Sequence, residues 1–353
     1  MLATLPLSAA ADHGGYHWEV YVGNLEDPRG LTFDPEGHLV IAQEGTGEGF
    51  TGRVSKAIEM VDPTTGQRSV LLKDLVNGLP SHYYYEADLP FVRDPSGTSD
   101  VAYSADGVLH FVVGTFYPER WSPKMEALWR ADGGYYPLTN AAPYAWIWPW
   151  ILENEPFAPY GEDLGCNPYG LILADDGTAY VTDAGANATL RVTPEGEIST
   201  FSVLPLQPNP DNPSSKGLDP VQTGIAWGPD GAVYVAVMTG APYVKGASKV
   251  YRSEDLNGDG DAMDEGETTL YADGLTSVTA IEFDHDGNLL ATEFRGALFG
   301  EPGNTGRLIR VVDGEIEVLV DGLTSPTGLA IADDGDIFVT QEFAGQVLRV
   351  WHD

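Results

Sequence analysis

The chain has 353 residues, of which 53 are acidic and 18 are lysine or arginine, so its formal net charge at pH 7 is −35. A negative field of that size repels phosphate backbones and anionic headgroups, which excludes nucleic acid and acidic membrane surfaces as expected partners. The 42% hydrophobic content suffices for a packed core, whereas the 42 glycines and 25 prolines favour tight turns over long helices. A single cysteine, Cys166, excludes an internal disulfide.

The amino-terminal segment MLATLPLSAAA is apolar and ends in small side chains. It resembles the end of a signal-peptide apolar region with its cleavage site, although no basic residue precedes it. We therefore expect residues 1–15 to be a signal remnant or a flexible tail, and the protein to be secreted to the periplasm or the extracellular space. No stretch approaches the roughly 20 apolar residues that span a bilayer, so no membrane span is expected.

Six segments repeat one pattern: a small residue, an apolar strand, a turn with an acidic residue and glycine, and a second apolar strand. They read PRGLTFDPEGHLVIAQ, TSDVAYSADGVLHFVV, PYGLILADDGTAYVTD, QTGIAWGPDGAVYVAV, VTAIEFDHDGNLLATE and PTGLAIADDGDIFVTQ, beginning at Pro28, Thr98, Pro168, Gln222, Val278 and Pro326. Apolar and polar positions alternate on both sides of the turn, which is the pattern of a β-hairpin. Each segment therefore predicts one hairpin.

Aromatic residues concentrate between about residues 117 and 166, which we interpret as an insertion after the second repeat. For Trp121 and Trp129 we favour a small satellite core packed against the blade edge. The run YAWIWPWI suits instead a small aromatic or carbohydrate ligand, a protein partner, or self-association. Its candidate binding residues are Trp146, Trp148 and Trp150.

The clearest metal motif is DLNGDGD, which begins at residue 255 in the fourth repeat. Oxygen ligands at positions 1, 3 and 5 and glycine at position 6 are what a calcium loop requires. Position 12 is Gly266 rather than glutamate, so Asp264, Glu265 or Glu267 has to close the site in a loop of residues 255–267. The alternative is a solvated acidic turn. The predicted ligands of a structural calcium ion are Asp255, Asn257, Asp259, Asp261, Asp264 and Glu267.

Further strand pairs follow several hairpins, as in TLRVTPEGEISTFSVL from residue 189. Four strands per repeat, six repeats and no long helical period predict an all-β protein, a six-bladed β-propeller of four-stranded antiparallel blades. The last repeat stops after a third strand, QVLRVWH, while HWEVYVGNLEDPRG near the start resembles the segment leading into that repeat. We therefore expect a strand at about residues 17–22 to complete the last blade and close a single domain over residues 16–353.

The first strand of each blade should line the central channel, where backbones crowd and small residues are expected. Asp100 is a carboxylate at a position that is glycine or alanine in the other five repeats. Asp183 and Glu293 end second strands on the same face, so these three are candidate catalytic residues at one channel mouth. Arg29 and Tyr169 are candidate ligand-binding residues beside them.

Converging carboxylates suit a divalent cation in the channel or a general base with a raised pKa. The alternative is that they hold hydrogen bonds between blades.

Three stretches carry a family resemblance: NPYGL at residues 167–171, DAGANATLRV at 183–192 and TGAPYVKGASKVYR at 239–252. They resemble the ScyD/ScyE family of exported bacterial propellers with NHL-like repeats, which implies the same fold and export. Gluconolactonase and senescence-marker propellers are more distantly similar; they bind a divalent metal in the channel and hydrolyse lactones. Their starting motif, a glutamate followed by Gly-Pro and an aromatic residue, is absent here.

The favoured function is a secreted, calcium-stabilised propeller that serves as a ligand-binding or protein-interaction scaffold. The alternatives are a metal-dependent, lactonase-like hydrolase or lyase, and an extracellular assembly or matrix subunit. The missing starting motif and the lack of G-x-S-x-G and H-E-x-x-H patterns favour binding over hydrolysis. A structural calcium ion is expected, and a second divalent metal in the channel remains open.

Overall fold

The computed structural model describes residues 15–44, 57–73, 97–114, 127–131, 141–157, 165–294 and 305–352. Strand β1 (Tyr16–Val22) comes first in the chain. Blade one follows with β2 (Pro28–Phe33), β3 (Leu39–Gln43), β4 (Ala57–Val61) and β5 (Arg68–Lys73). Blade two has β6 (Gly97–Tyr103), β7 (Leu109–Gly114), β8 (Ala127–Ala131) and β9 (Ala141–Trp146), after which helix α1 runs over Ile147–Asn154.

Blade three comprises β10 (Pro168–Leu173), β11 (Ala179–Asp183), β12 (Ala188–Val192) and β13 (Ile198–Val203). Blade four comprises β14 (Gln222–Trp227), β15 (Val233–Val237), β16 (Ser248–Ser253) and β17 (Thr268–Leu275). Blade five comprises β18 (Val278–Phe283), β19 (Leu289–Glu293), β20 (Gly306–Val312) and β21 (Glu315–Leu323). Blade six is built from β22 (Pro326–Ile331), β23 (Ile337–Gln341) and β24 (Gln346–His352) together with β1.

Strand β1 closes the ring by pairing antiparallel with β24, so that Trp18 lies opposite Val350 and Val20 opposite Leu348. The sheet order β1-β24-β23-β22 makes this blade equivalent to the five others. The inner strands β2, β6, β10, β14, β18 and β22 each contact the next, and β22 contacts β2. The predicted six-bladed propeller with amino-terminal closure is confirmed.

The acidic residue and the glycine of each repeat shape the hairpin turn, as the first hairpin illustrates. Gly37 adopts a φ of 85°, a region that is costly for residues with a Cβ. The Oδ1 atom of Asp34 accepts the backbone N–H groups of Glu36 at 2.9 Å and His38 at 2.8 Å. The side chain therefore satisfies turn donors that no strand partner can reach.

The apolar core lies between the faces of neighbouring blades. Between blades one and two, Val40 and Ile58 belong to the same buried cluster as Phe111 and Trp129. The rings of Phe111 and Trp129 stack with centroids 5.9 Å apart and planes at 16°. The apolar side chains therefore pack between neighbouring blades, and the inner strand of each blade faces the ring axis.

Part of the segment interpreted as an insertion supplies the third and fourth strands of blade two. Trp129 lies in β8 and is 8% exposed, so it belongs to the main core. In α1, Ile147 and Ile151 are fully buried and fix the helix against blade two. Trp121 and the amino-terminal residues 1–14 lie outside the described residues. Across the described parts of the chain, no helix has the length and apolar character needed to cross a membrane.

Candidate functional site

The inner strands of all six blades enclose a cavity of about 180 Å³ on the ring axis. A cavity of about 150 Å³ accommodates benzene, so this volume suits a small organic molecule. Much of the wall is backbone or aliphatic side chain. The side chains that bring charge or a hydroxyl to it are Arg29, Thr32, Ser99, Asp100, Tyr103, Tyr169, Thr279, Glu282 and Thr327.

Small residues on the inner strands allow the blades to approach one another, as the sequence predicts. At Gly328, a Cβ atom would lie 2.1 Å from the carbonyl oxygen of Arg29. At Gly30, it would lie 1.9 Å from Oδ1 of Asp100. The glycine of blade one therefore makes the room that the carboxylate of blade two occupies.

Asp100 lines the cavity and also links two blades. Its Oδ1 atom accepts the N–H of Val101 at 2.9 Å, and its Oδ2 atom accepts the N–H of Leu171 in blade three at 2.8 Å. Burial raises the pKa of Asp100 to about 7, against the lowering effect of these two hydrogen bonds and of Arg29. At neutral pH the carboxyl group is therefore divided between its charged and neutral forms.

Glu282 is a second acid in the cavity, and the sequence analysis missed it. It lies in β18 of blade five, opposite blade two in a ring of six. Burial, against the lowering effect of the N–H of Phe283 and with a smaller contribution from the charge of Asp100, raises its pKa to about 7. A signal was available, because the equivalent positions in the other repeats are all uncharged: Thr32, Ala102, Ile172, Ala226 and Ala330.

Arg29 and Tyr169 stand together at the channel mouth. The guanidinium carbon of Arg29 lies 4.6 Å from the ring centroid of Tyr169. The same guanidinium is 3.4 Å from a carboxylate oxygen of Glu44 and 3.7 Å from one of Glu342. Burial raises the pKa of Tyr169 to about 12, so its hydroxyl remains protonated at neutral pH. Arg29 is thus a shared counter-charge for two acids.

Asp183 and Glu293 do not join Asp100 at the cavity. Asp183 is fully buried, and its Oδ1 atom accepts the N–H groups of Asn167 at 2.7 Å, Gly185 at 3.0 Å and Ala186 at 2.9 Å. Neither Asp183 nor Glu293 contributes to the described cavity wall. Of the three candidate catalytic residues, Asp100 lies in the described cavity wall and the other two do not, and a catalytic role for any of them stays a prediction.

The strand-end position of these residues has a structural use within each blade. Oε1 of Glu293 accepts the N–H of Thr276 at 2.8 Å, and the Arg307 guanidinium contacts its other oxygen. In blade one, Gln43 accepts the N–H of Glu26 at 2.7 Å in the same way. The side chain turns towards the segment that precedes its own blade's first strand, because that segment has backbone donors without strand partners.

The acidic loop of blade four has the donor chemistry of a calcium site. Asp255 receives the N–H groups of Gly258 at 2.6 Å and Gly260 at 2.8 Å, and both glycines have left-handed φ values of 81° and 101°. Glu267 is 2% exposed and accepts the N–H of Leu256 at 2.9 Å. Burial and the neighbouring acids raise the pKa of Asp261. An oxygen-only donor set with mutually repelling acids fits calcium.

The carboxylate oxygens of this loop do not converge on one point. Among the residues that the structure describes, ligand atoms from three histidine, cysteine, aspartate or glutamate side chains lie within 4.8 Å of one another only at Asp34, Glu36 and His38. That cluster sits in the hairpin turn whose backbone Asp34 already binds, with His38 Nδ1 2.8 Å from Asp34 Oδ2. The described wall of the channel contains no equivalent triplet, so a channel metal finds no assembled set of side-chain ligands there.

The predicted aromatic binding surface lies apart from the cavity. Trp146 ends β9 with 39% of its surface exposed, and Leu152 in α1 is 48% exposed. Trp148 and Trp150 are partly buried against the core between blades two and three. None of the three tryptophans belongs to the described cavity wall.

No family model and no curated protein matches this sequence. Solved structures share its fold. A gluconolactonase from Xanthomonas campestris aligns with a TM-score of 0.59 at 14% identity, covering 100% of this chain and 99% of the other. A luciferin-regenerating enzyme gives 0.56 at 13%, covering 95% of each chain. A PQQ-bound aldose sugar dehydrogenase from Streptomyces coelicolor gives 0.51 at 15%, covering 96% and 100%. These likenesses show the fold alone, a propeller similar to that of the gluconolactonase.

Proposed function

We propose that this protein is an exported, calcium-stabilised propeller of the ScyD/ScyE kind that binds a small ligand in its central channel. The observation that carries the proposal is the cavity of about 180 Å³ with Arg29, Asp100, Tyr169 and Glu282 in its wall. Burying ionisable groups costs free energy, and the other blades have glycine or alanine at the position of Asp100 and uncharged residues at that of Glu282. Charged groups around an enclosed space are typical of a site that orients a ligand.

Export and calcium are the finer parts of this proposal. The apolar start of the sequence supports export. The oxygen-rich loop of residues 255–267 supports calcium, and its place in the fold supports a structural role. Ala262 in this loop is buried and donates its N–H to the carbonyl of Phe201 in blade three at 2.8 Å. A calcium ion in the loop would therefore hold blade four against blade three.

The test is calorimetric titration of the calcium-loaded protein with small neutral, anionic and cationic organic compounds, comparing two variants. Ala102→Leu adds a side chain to the cavity wall and should abolish binding of any channel ligand. Ala105→Leu makes the same change in the exposed turn of the same hairpin and should bind as the parent does. Binding that survives Ala102→Leu would place the ligand elsewhere and refute the proposal.

Acid–base hydrolysis is a second candidate, favoured by one observation. Asp100 and Glu282 line one cavity, and burial raises the pKa of each to about 7, near the optimum for proton transfer at neutral pH. A panel of lactones and esters should then be hydrolysed by the parent and far more slowly by Glu282→Gln. Turnover that is equal in both proteins would exclude this pair from the chemistry.

A further inference from the structure

Several hydrogen-bond donors in the cavity wall are already engaged, which makes its two acids the prominent acceptors. The hydroxyl groups of Thr279 and Thr327 donate to the carbonyl oxygens of the neighbouring blades, at 2.8 Å and 3.1 Å. The indole N–H of Trp227 donates to a backbone carbonyl at 2.9 Å. Arg29 faces the carboxylates of two glutamates. Ionised Asp100 and Glu282 accept hydrogen bonds and donate none.

We propose that the channel binds a small organic cation, an ammonium or amidinium compound with a short apolar body, between Asp100 and Glu282. This inference rests on the proposed function and names the class of ligand. An ammonium group has three donors and no acceptor, which complements a wall of this kind. Hydrogen bonds between charged partners are also about twice as strong as neutral ones.

The two acids are placed to hold one cation from opposite sides. Asp100 lies in blade two and Glu282 lies in blade five, the opposite blade of the ring, and both line the same cavity. Glu282 stands two residues further along its strand than Ala280, the counterpart of Asp100, and two residues of strand span about 6.6 Å. A ligand on the axis would therefore meet the acids at two successive levels of the channel.

The surroundings compensate the charge of Asp100 only in part, through Arg29, and no cation among the described residues acts on Glu282. Among the described residues, the electrostatic influences on Glu282 are the like charge of Asp100 and the N–H of Phe283. Arg29 acts on Asp100 but also contacts Glu44 and Glu342 at the mouth. A bound cation would supply the missing positive charge, and the acids would release protons on binding.

An apolar body fits the same space better than a bare metal ion. Apolar residues at axis-facing positions, Ala102, Ile172 and Ala280, line the cavity alongside the acids. Divalent calcium requires six to eight oxygens at 2.3–2.6 Å. The described channel side chains hold no three carboxylate, imidazole or thiol donors within 4.8 Å of one another. The volume matches about that of a benzene-sized group.

The experiment titrates three probes of nearly one shape into the full chain: butylamine, butanol and butyrate, at pH 8 in excess calcium. Butylamine should bind about tenfold more tightly than butanol, and butyrate should not bind. Glu282→Gln should weaken butylamine binding by about tenfold. The matched control, Asp175→Asn, removes one charge from an exposed turn and should leave affinity unchanged.

Proton release separates this site from surface attraction. In buffers of different ionisation enthalpy, butylamine binding should release more protons at pH 6.5 than at pH 8.5, and Glu282→Gln should reduce that release. Equal weakening in Glu282→Gln and Asp175→Asn would refute the inference, because the amine would then respond to net charge alone. Absence of butylamine binding would refute it as well.

Two further outcomes distinguish the inference from the function on which it rests. If butanol or butyrate binds as tightly as butylamine and Ala102→Leu removes that binding, the channel is a ligand site but not a cation site. If magnesium or calcium ions bind to an Asp255→Ala/Asp259→Ala protein and Glu282→Gln removes them, the occupant is inorganic and the inference fails. If nothing binds in a way that Ala102→Leu abolishes, both proposals fail.

Discussion

The carboxylate of Asp100 in blade two accepts the backbone N–H of Leu171 in blade three at 2.8 Å. The same side chain lines the axial cavity, so one group both joins neighbouring blades and brings charge to a binding space. A substitution of Asp100 therefore alters blade packing and cavity chemistry together. Among the described residues, the Glu282 carboxylate is hydrogen-bonded to the N–H of Phe283 in its own strand, so Glu282 gives the cleaner test of the cavity.

Raising the pH from 5 to 8 should lower the free energy of unfolding, and the ionisation of Glu282 should account for part of this loss. Burial raises the pKa of Glu282 to about 7, so the folded protein holds this proton more tightly than the unfolded chain does. The resulting stability is complete below the unfolded pKa and is lost as pH rises through about 7. In urea denaturation without ligand, Glu282→Gln should therefore lose less unfolding free energy over this range than the parent.

The control for this pH experiment is Asp175→Asn, whose exposed acid lies outside the cavity. Its stability should follow the parent's at every pH. A Glu282→Gln protein with the parent's pH dependence would contradict the placement of Glu282 in a desolvated wall.

Asp183 should prove to be a structural residue. Alanine at this position would leave the N–H groups of Asn167, Gly185 and Ala186 without their acceptor. Each buried donor without a partner costs about 1–3 kcal/mol, so Asp183→Ala should destabilise the fold by at least about 3 kcal/mol in urea denaturation. Asp183→Asn keeps the accepting oxygen and should fold. Loss of channel binding in folded Asp183→Asn would show that the carboxylate has a direct functional role.

Calcium should stabilise the parent through the loop of residues 255–267. Because Ala262 in that loop contacts the carbonyl of Phe201, an ion that orders the loop also secures the edge between blades three and four. Elemental analysis after dialysis should find calcium in the parent and none in Asp255→Ala/Asp259→Ala. The Tm of the parent alone should rise with added calcium. Equal calcium content in both proteins would refute the ligand assignment.

The exposed part of the α1 region should govern any self-association. Trp146 and Leu152 expose 39% and 48% of their surfaces, whereas Ile151 is fully buried. Trp146→Ser/Leu152→Ser should keep the parent's Tm within a few degrees and reduce concentration-dependent light scattering. Ile151→Ser should lower the Tm strongly because it places a hydroxyl in the core. Scattering that is unchanged in the double variant would exclude this surface.

The repeats predicted the fold because each hairpin encodes its own turn locally. Gly37 and its counterparts take left-handed φ values that L-residues avoid, so glycine marks each turn in the sequence. The closing strand was also predictable, since the segment around β1 resembles the segment before blade six. Blade two was harder to recognise, because β8 and β9 lie within a run of aromatic residues that obscures strand alternation.

The cavity was predictable at Asp100 but not as a whole. Asp100 was found by comparing one equivalent position across the six repeats. Finding Glu282 would have required the same comparison at the next inward-facing position, two residues later in each first strand. The hydrogen bonds of Glu293 were not predictable, because strand direction places a side chain at one face of the ring without fixing which way the side chain turns. Before blade five, Ser277 takes a φ of 47° and the neighbouring N–H of Thr276 meets Glu293. Such a local bend depends on contacts that form only in the folded blade.

Trp18 in β1 pairs with Val350 in β24, although β1 is the first strand of the propeller in the sequence and β24 is the last. During synthesis, β1 leaves the ribosome before any strand of its own blade, and its partner is the strand of the ring made last. Blade six therefore cannot be completed until the other five have been translated, which makes ring closure a late, non-local folding step. Until then β1 presents an unpaired edge, and that edge is where a nascent chain of this design is most exposed to wrong pairing.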